Sequence, residues 1–138
     1  MSDEKVELAR RSAQAWSERD AEWFVDNSTP DFEFFPAVIG GVEGRQGAIR
    51  AEGIRRYFVD LDEPWESFLF EDVEYREVDD QVVCLGRVRA KGRGSGLELD
   101  EPIAMVLWFR DGKLARARSI LDHDEGLAAA KAGAETEA

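Results

Sequence analysis

The chain has 138 residues, 43% of them hydrophobic and 35% charged, with one cysteine and one histidine. That length suits one domain that buries a core without disulfide or metal support. A net charge of −12 repels polyanions, which argues against nucleic acid as a partner, and one His with one Cys does not make a closed zinc site.

Residues 4–18 carry Val6, Ala9, Ala13 and Trp16 at steps of three and four, the period of an amphipathic helix. Asp20 is placed to cap a second, short helix over 21–25, and Asn27-Ser28-Thr29-Pro30 breaks it. Asp31 to Phe35 reads as a strand ended by Pro36. Gly40, Gly41 and Gly44 mark a loop, and a third helix is expected from Gln46 to Asp60 with Gly53 inside it, at about 1 kcal/mol relative to Ala.

Four strands follow, over 66–77, 82–92, 97–109 and 113–121, separated by turn signals at 78–81, 91–96 and 110–113. A last helix is expected at 124–131, capped by Asp122 or Asp124. The domain is thus 1–131, and 132–138 is a low-complexity tail expected to be disordered. Helices first and then an antiparallel meander predict an α+β domain whose curved sheet wraps the helices on one face and so makes a pocket. The N-terminus has no apolar leader core, and no apolar run approaches the roughly 20 residues of a membrane span. With Cys84 as the single thiol, a cytoplasmic protein without a membrane partner is expected. No metal site and no cofactor is assigned, although an all-carboxylate site for a hard cation stays open.

This order resembles the nuclear transport factor 2-like superfamily, and more narrowly its SnoaL-like branch. The residues that carry the resemblance are Pro30 to Phe34, Gly47 to Phe58, Gly86-Arg87, the 92–96 turn, Arg110 to Lys113 and Leu121 to Leu127. It covers about residues 5–130. It implies a cone-shaped, curved, mixed or antiparallel sheet wrapped around three N-terminal helices, with a short C-terminal helix. It also implies a homodimer through the outer sheet face and a pocket between the concave face and the helices.

The catalytic sets of that superfamily are incomplete in this chain. Where the steroid isomerases place an Asp base stands Phe35; their second acid falls on Ala104 or Met105, and their tyrosine near Ser12. The epoxide-hydrolase pattern keeps Arg87, but Arg89 and Ser119 stand where its carboxylates belong. The cyclase acid–base pair would need His123, which lies after the last strand, or a base at Glu33 or Glu101.

A hairpin centred on Ser95 pairs Arg87 with Ile103, Arg89 with Glu101 and Leu85 with Met105 on one sheet face. The resemblance turns that face to the pocket, with Glu33 and Phe35 pointing in from the first strand and Tyr57 and Trp65 as walls. The pocket candidates are therefore Glu33, Phe35, Tyr57, Trp65, Arg87, Arg89, Glu101, Ile103, Met105 and Ser119. Two Arg beside two Glu would keep the carboxylates ionised and hold an anionic ring compound.

Other assignments stay open on the residues alone. The alternate face, Val82-Cys84-Gly86-Val88-Ala90, is more apolar and equally able to be buried. A two-residue 111–112 turn puts Arg116 and Arg118 beside Met105, whereas a three-residue turn with a bulge, which the resemblance favours, puts Ala117 and Ser119 there. Trp16, Trp23, Phe24 and Phe34 read as core, Cys84 as a small buried hydrophobe, and Trp108 as part of the dimer face. The expected function is binding of a small, partly apolar and possibly anionic molecule; the alternatives are an isomerase, cyclase or hydrolase with a Glu base and an Arg stabiliser, and a ligand-free dimerisation module.

Overall fold

The computed structural model describes residues 2–36 and 49–136, with side chains from 4 to 131 outside that gap. The Gly40-Gly41/Gly44 loop and the expected helix start at Gln46 lie outside the described residues. Helix α1 runs Ser2–Glu18 and α2 Ala21–Asn27. The Asp20 carboxylate accepts from the Trp23 backbone N–H at 3.2 Å, the N-cap bond that its position before α2 predicts.

Five strands form one open sheet in the order β1-β5-β4-β3-β2. They are β1 Ser28–Phe35, β2 Trp65–Val78, β3 Gln81–Gly92, β4 Glu98–Arg110 and β5 Lys113–Ile120. Strands β2 to β5 are the expected antiparallel meander, and β1 joins the edge of β5 in parallel. This is the α+β cone architecture expected of the sequence.

The third helix differs from expectation. Ile49 is not helical: it exchanges two backbone hydrogen bonds of 2.9 Å with Phe34 and extends the sheet by one bridge. A 3-10 turn, Ala51–Gly53, then leads into α3, Ile54–Asp62. Gly53 therefore stands at the helix boundary, and the interior-glycine cost does not arise.

The register of the β3–β4 hairpin is shifted by one residue from the expected pairing. Lys91 pairs with Glu98 across an even-numbered connection rather than a turn centred on Ser95, so Arg87 meets Pro102, Arg89 meets Asp100 and Cys84 meets Met105. A one-residue slip exchanges which residues share a face. The inner face takes Val82, Cys84, Val88, Ala90, Ile103, Met105 and Leu107, packed with α1–α3 in the main core. The outer face takes Val83, Leu85, Ala104, Val106 and Trp108, which cluster with Ala130 of helix α4, His123–Thr136.

Desolvation explains the choice. Facing the helices, Arg87 and Arg89 would be buried charges costing several kcal/mol each; facing out, they leave the apolar alternates inside. Burial along β3 follows this. Residues 81–86 are buried without interruption, because helices cover one face and α4 the other; from 87 onward burial alternates.

At the last hairpin, Asp111 and Gly112 both have positive φ (55° and 76°), a two-residue turn of the primed kind. A bulge at Trp108/Phe109 then restores the other register, so Met105 meets Ser119 and Leu107 meets Ala117. The expected facing of Ala117 and Ser119 is reached, by a bulge inside the ladder rather than a longer turn.

α4 begins at His123 with Asp122 as its cap: the Asp122 carboxylate accepts from Glu125 N–H at 2.8 Å. It ends at Thr136, beyond the 124–131 span expected. His123 is not a pocket base. Its Nε2 lies 2.9 Å from the Gly86 carbonyl oxygen and ties α4 to β3.

Candidate functional site

Between α1–α3 and the concave face lies a cavity of about 20 Å³, room for about one water molecule. Six aromatic rings wall it: Trp16 from α1, Phe24 from α2, Phe32 and Phe34 from β1, Phe58 from α3 and Phe70 from β2. The rings meet edge-on or tilted, Phe24 against Phe58 at 6.1 Å and Trp16 against Phe70 at 6.4 Å, arrangements favoured by the ring quadrupoles. Met105, Leu107, Ile54 and Ala13 complete the apolar lining, and Ser12 and Cys84 add a hydroxyl and a thiol.

The polar content of this site is small. The Ser12 hydroxyl donates to the Ala9 carbonyl at 2.7 Å. The Trp16 indole Nε1 is buried and meets no acceptor among the described residues. Cys84 is the one ionisable side chain lining the cavity among the described residues, and burial pushes its thiol up to about 12. It is therefore a neutral thiol near pH 7 and a poor nucleophile. No carboxylate, His, Lys or Arg lines the cavity among the described residues. Nor do the described residues contain a group of three or more His, Cys, Asp or Glu able to hold a metal ion.

The raised thiol has a consequence for stability. Because the folded state holds the proton more tightly than the usual thiol, the contribution of Cys84 is intact below about pH 9 and is lost as pH rises towards about 12. Denaturant unfolding at successive pH values should show this group removing about 1.4 kcal/mol per pH unit in that window. Cys84→Ala should flatten the alkaline limb. An unchanged slope would show that the thiol is not desolvated.

The expected pocket residues separate into three groups. Met105 lines the cavity. Ile103, Tyr57, Trp65 and Ser119 are buried nearby: Tyr57 stands edge-on to Phe34 at 5.3 Å and Trp65 tilts on Phe68 at 5.6 Å. Tyr57, expected as a wall of the pocket, belongs to the core.

Glu33, Phe35, Arg87 and Arg89 point the other way. On β1 the buried rings are Phe32 and Phe34, so Glu33 and Phe35 take the outer face. There Phe35 stacks with the Arg116 guanidinium at 5.1 Å, and Arg116 also covers Trp108 at 5.0 Å. Trp108 is thus sheltered by its own chain. Arg87 bonds the Asp100 carboxylate at 2.6 Å, and Arg89 bonds Asp72 at 2.8 Å and Glu71 at 3.4 Å. These hydrogen bonds raise the Arg89 pKa and lower that of Asp100. They are exposed pairs of modest worth.

Glu101 lies opposite Val88 but is exposed at the end of the sheet. The expected Glu33/Arg87/Arg89/Glu101 cluster is therefore not assembled. A wider surface groove of about 700 Å³ lies between α1 and the β4–β5 turn. Its cations are engaged: Lys5 with Asp80, Arg11 with Glu7, and Arg110 with Asp31.

Sequence comparison agrees with this architecture. Residues 9–117 match the SnoaL-like domain. The chain belongs to the SnoaL-like domain family. No curated protein matches the sequence. Among solved structures, TerC co-crystallised with polyporic acid superposes with a TM-score of 0.72 at 22% identity, covering 86% of this chain and 92% of TerC. A hypothetical protein from Catenulispora acidiphila with a ketosteroid isomerase-like fold, in complex with trimethylamine, gives 0.69 at 15% identity, covering 88% and 90%. A candidate SnoaL-like polyketide cyclase from Jannaschia sp. CCS1 gives 0.67 at 22%, covering 94% and 93%. At these identities the likeness is one of fold. Among the described residues of this SnoaL-like domain, no helix is long and apolar enough to cross a membrane.

Proposed function

We propose that this SnoaL-like domain is a binding or accessory protein that takes a small, neutral, mostly apolar molecule in the cavity beneath α1–α3. The observation that carries the reading is the lining itself: six aromatic rings, aliphatic side chains, and no charged group among the described residues. General acid–base chemistry needs a titratable group within hydrogen-bond reach of the reacting atom, and the two glutamates that sequence offered, Glu33 and Glu101, are elsewhere. An anionic ligand would lose its hydration without gaining a cation, so the positive clamp expected from Arg87 and Arg89 is withdrawn together with the anionic preference. Fold relatives crystallised with polyporic acid and with trimethylamine support a scaffold that takes small organic molecules.

A cavity of about 20 Å³ must widen to admit a ring. Met105 is the side chain best suited to yield, being unbranched and flexible. The test is a thermal-shift screen against neutral terpenoids, steroids and polyketide fragments. A ligand at about 100 times its Kd should add roughly 2.7 kcal/mol, several degrees for this size. Ala13→Leu, which fills the cavity, should remove the shift, and Arg87→Ala on the outer face should not. Loss of the shift in Arg87→Ala alone would place the site on the other side of the sheet and end this reading. A homodimer through the outer face would have to pack around α4; sedimentation of the full chain decides whether it forms.

A further inference from the structure

Helix α4 closes the outer face of the sheet. Its sheltered residues are His123, Gly126, Leu127 and Ala130, spaced as one face of a helix. Beneath them Val83, Leu85, Ala104, Val106 and Trp108 are all buried. The approach is close: a Cβ built at Gly126 would stand 2.4 Å from the Ala104 Cβ. The helix is fixed at its start, where the Asp122 carboxylate accepts from Glu125 N–H and His123 Nε2 meets the Gly86 carbonyl oxygen. This cluster is separate from the main core. α4 packs on strands β2 to β5, and none of its described residues belongs to the core beneath α1–α3. Lifting α4 would therefore uncover the outer face and leave the cavity walls in place.

We propose that α4 is an intramolecular cover: it occupies the sheet face on which a second copy of this chain would otherwise dock, and so holds the chain as a monomer. The uncovered face would present five neighbouring apolar side chains on two adjacent strands, β3 and β4, a contiguous apolar patch of the kind that associates. Trp108 is the large aromatic among them, a residue type enriched at interfaces. A second copy is the fitting partner because a two-fold contact sets the same face of both molecules together, and two apolar sheet faces pack by interleaving their side chains. Against this α4 brings only Leu127 and Ala130 as apolar side chains. Its advantage is proximity. Leu121 and Asp122 alone join it to β5, so its effective concentration over the face is on the order of millimolar. Free chains at micromolar concentration do not match that.

Two substitutions in the full chain lift α4 by different means. Gly126→Leu drives a side chain into Ala104, and Ala130→Glu sets a carboxylate over an apolar surface. Sedimentation reads the mass of each chain over a range of concentrations, and amide hydrogen exchange reads whether residues 123–130 are protected. The parent should sediment as a monomer with α4 protected. Both variants should lose protection in α4, keep it in β3 and β4, and double in mass as concentration rises. Adding Val106→Lys to either variant charges the centre of the uncovered face and should return it to a monomer. A parent chain that is already a dimer would overturn the proposal. So would variants that stay monomeric with α4 exchanging freely, or dimers that Val106→Lys leaves intact. Protection of α4 in both variants would show that the helix does not lift, and loss of protection in β3 and β4 in both would show that it is part of the fold rather than a cover over it; either result overturns the proposal.

Discussion

Arg19→Ala should cost about 2 kcal/mol, short of the roughly 3 to 5 kcal/mol for breaking a fully buried ion pair, and lower Tm by several degrees. Arg19 follows α1, and its guanidinium ties three elements around the cavity. It donates to both oxygens of Asp62 on α3 at 2.8 to 3.1 Å, to the Trp16 carbonyl at 2.7 Å and to the Phe68 carbonyl on β2 at 2.7 Å. The same group lies over the Trp16 and Phe58 rings at 4.9 and 5.7 Å, two residues that wall the cavity. The Arg19 side chain is 18% exposed and Asp62 42%, so solvent screening holds the value below that of a fully buried pair. Arg19→Lys should recover little, since an ammonium cannot reproduce the two-pronged contact. The backbone at Arg19 has φ 60°, a left-handed conformation that glycine adopts freely. Arg19→Gly should therefore lose less than Arg19→Ala in urea unfolding, because the side-chain loss is shared and only alanine keeps the strain. Equal loss in both would show that the backbone strain is negligible.

The two periods of the sequence, three-to-four in α1 and two along the strands, were enough to read the order of elements. The Asp20 cap and the meander turns were legible for the same reason: each is a local signal with a local cause. The site was less legible, because its face assignments depend on register, a non-local property. One residue more or less between Lys91 and Glu98 decides whether Arg87 lies inside or out, and the glycine-rich connection does not fix that count. The charge pattern held the correcting signal. Arginine at 87 and 89 alternates with Val88 and Ala90, and two arginines cannot enter an aromatic cavity without partners. The uninterrupted apolar run from 82 to 86 carried a further message, that both faces are covered there, yet what covers the outer face, α4, is not nearby in sequence. Likewise Trp16 and Phe34 were legible as core from their spacing, but core and cavity wall are the same residues seen from two sides. Only packing shows which rings leave a gap.

Gly86→Ala tests whether that gap depends on the close approach of β2 and β3. A Cβ built at Gly86 would stand 2.7 Å from the Glu71 carbonyl oxygen and 2.7 Å from Phe70 Cε1, closer than non-bonded atoms can sit. The first contact is backbone, so it is relieved only by moving β3 away from β2. That movement is resisted on the other side, where the Gly86 carbonyl oxygen meets His123 of α4. The second contact is relieved by turning Phe70, a wall of the cavity, towards the small space beside it. Both contacts must be relieved, the backbone one by strand separation and the ring one by that or by turning Phe70, at about 1 to 3 kcal/mol, the range for an added carbon in a packed interior. The two routes differ in what they do to ligands. Strand separation lowers stability and leaves the cavity its size, whereas rotation of Phe70 fills the cavity and should weaken a neutral ring ligand along with the fold. Gly53→Ala is the matched control: among the described residues its Cβ would meet only the Ile49 side chain, at 3.3 Å, with an ordinary backbone, so its effect should stay within about 0.5 kcal/mol. Urea unfolding of both variants with ligand titration of each separates the routes. A Gly86→Ala variant as stable as the parent would show that the strands part freely at this point.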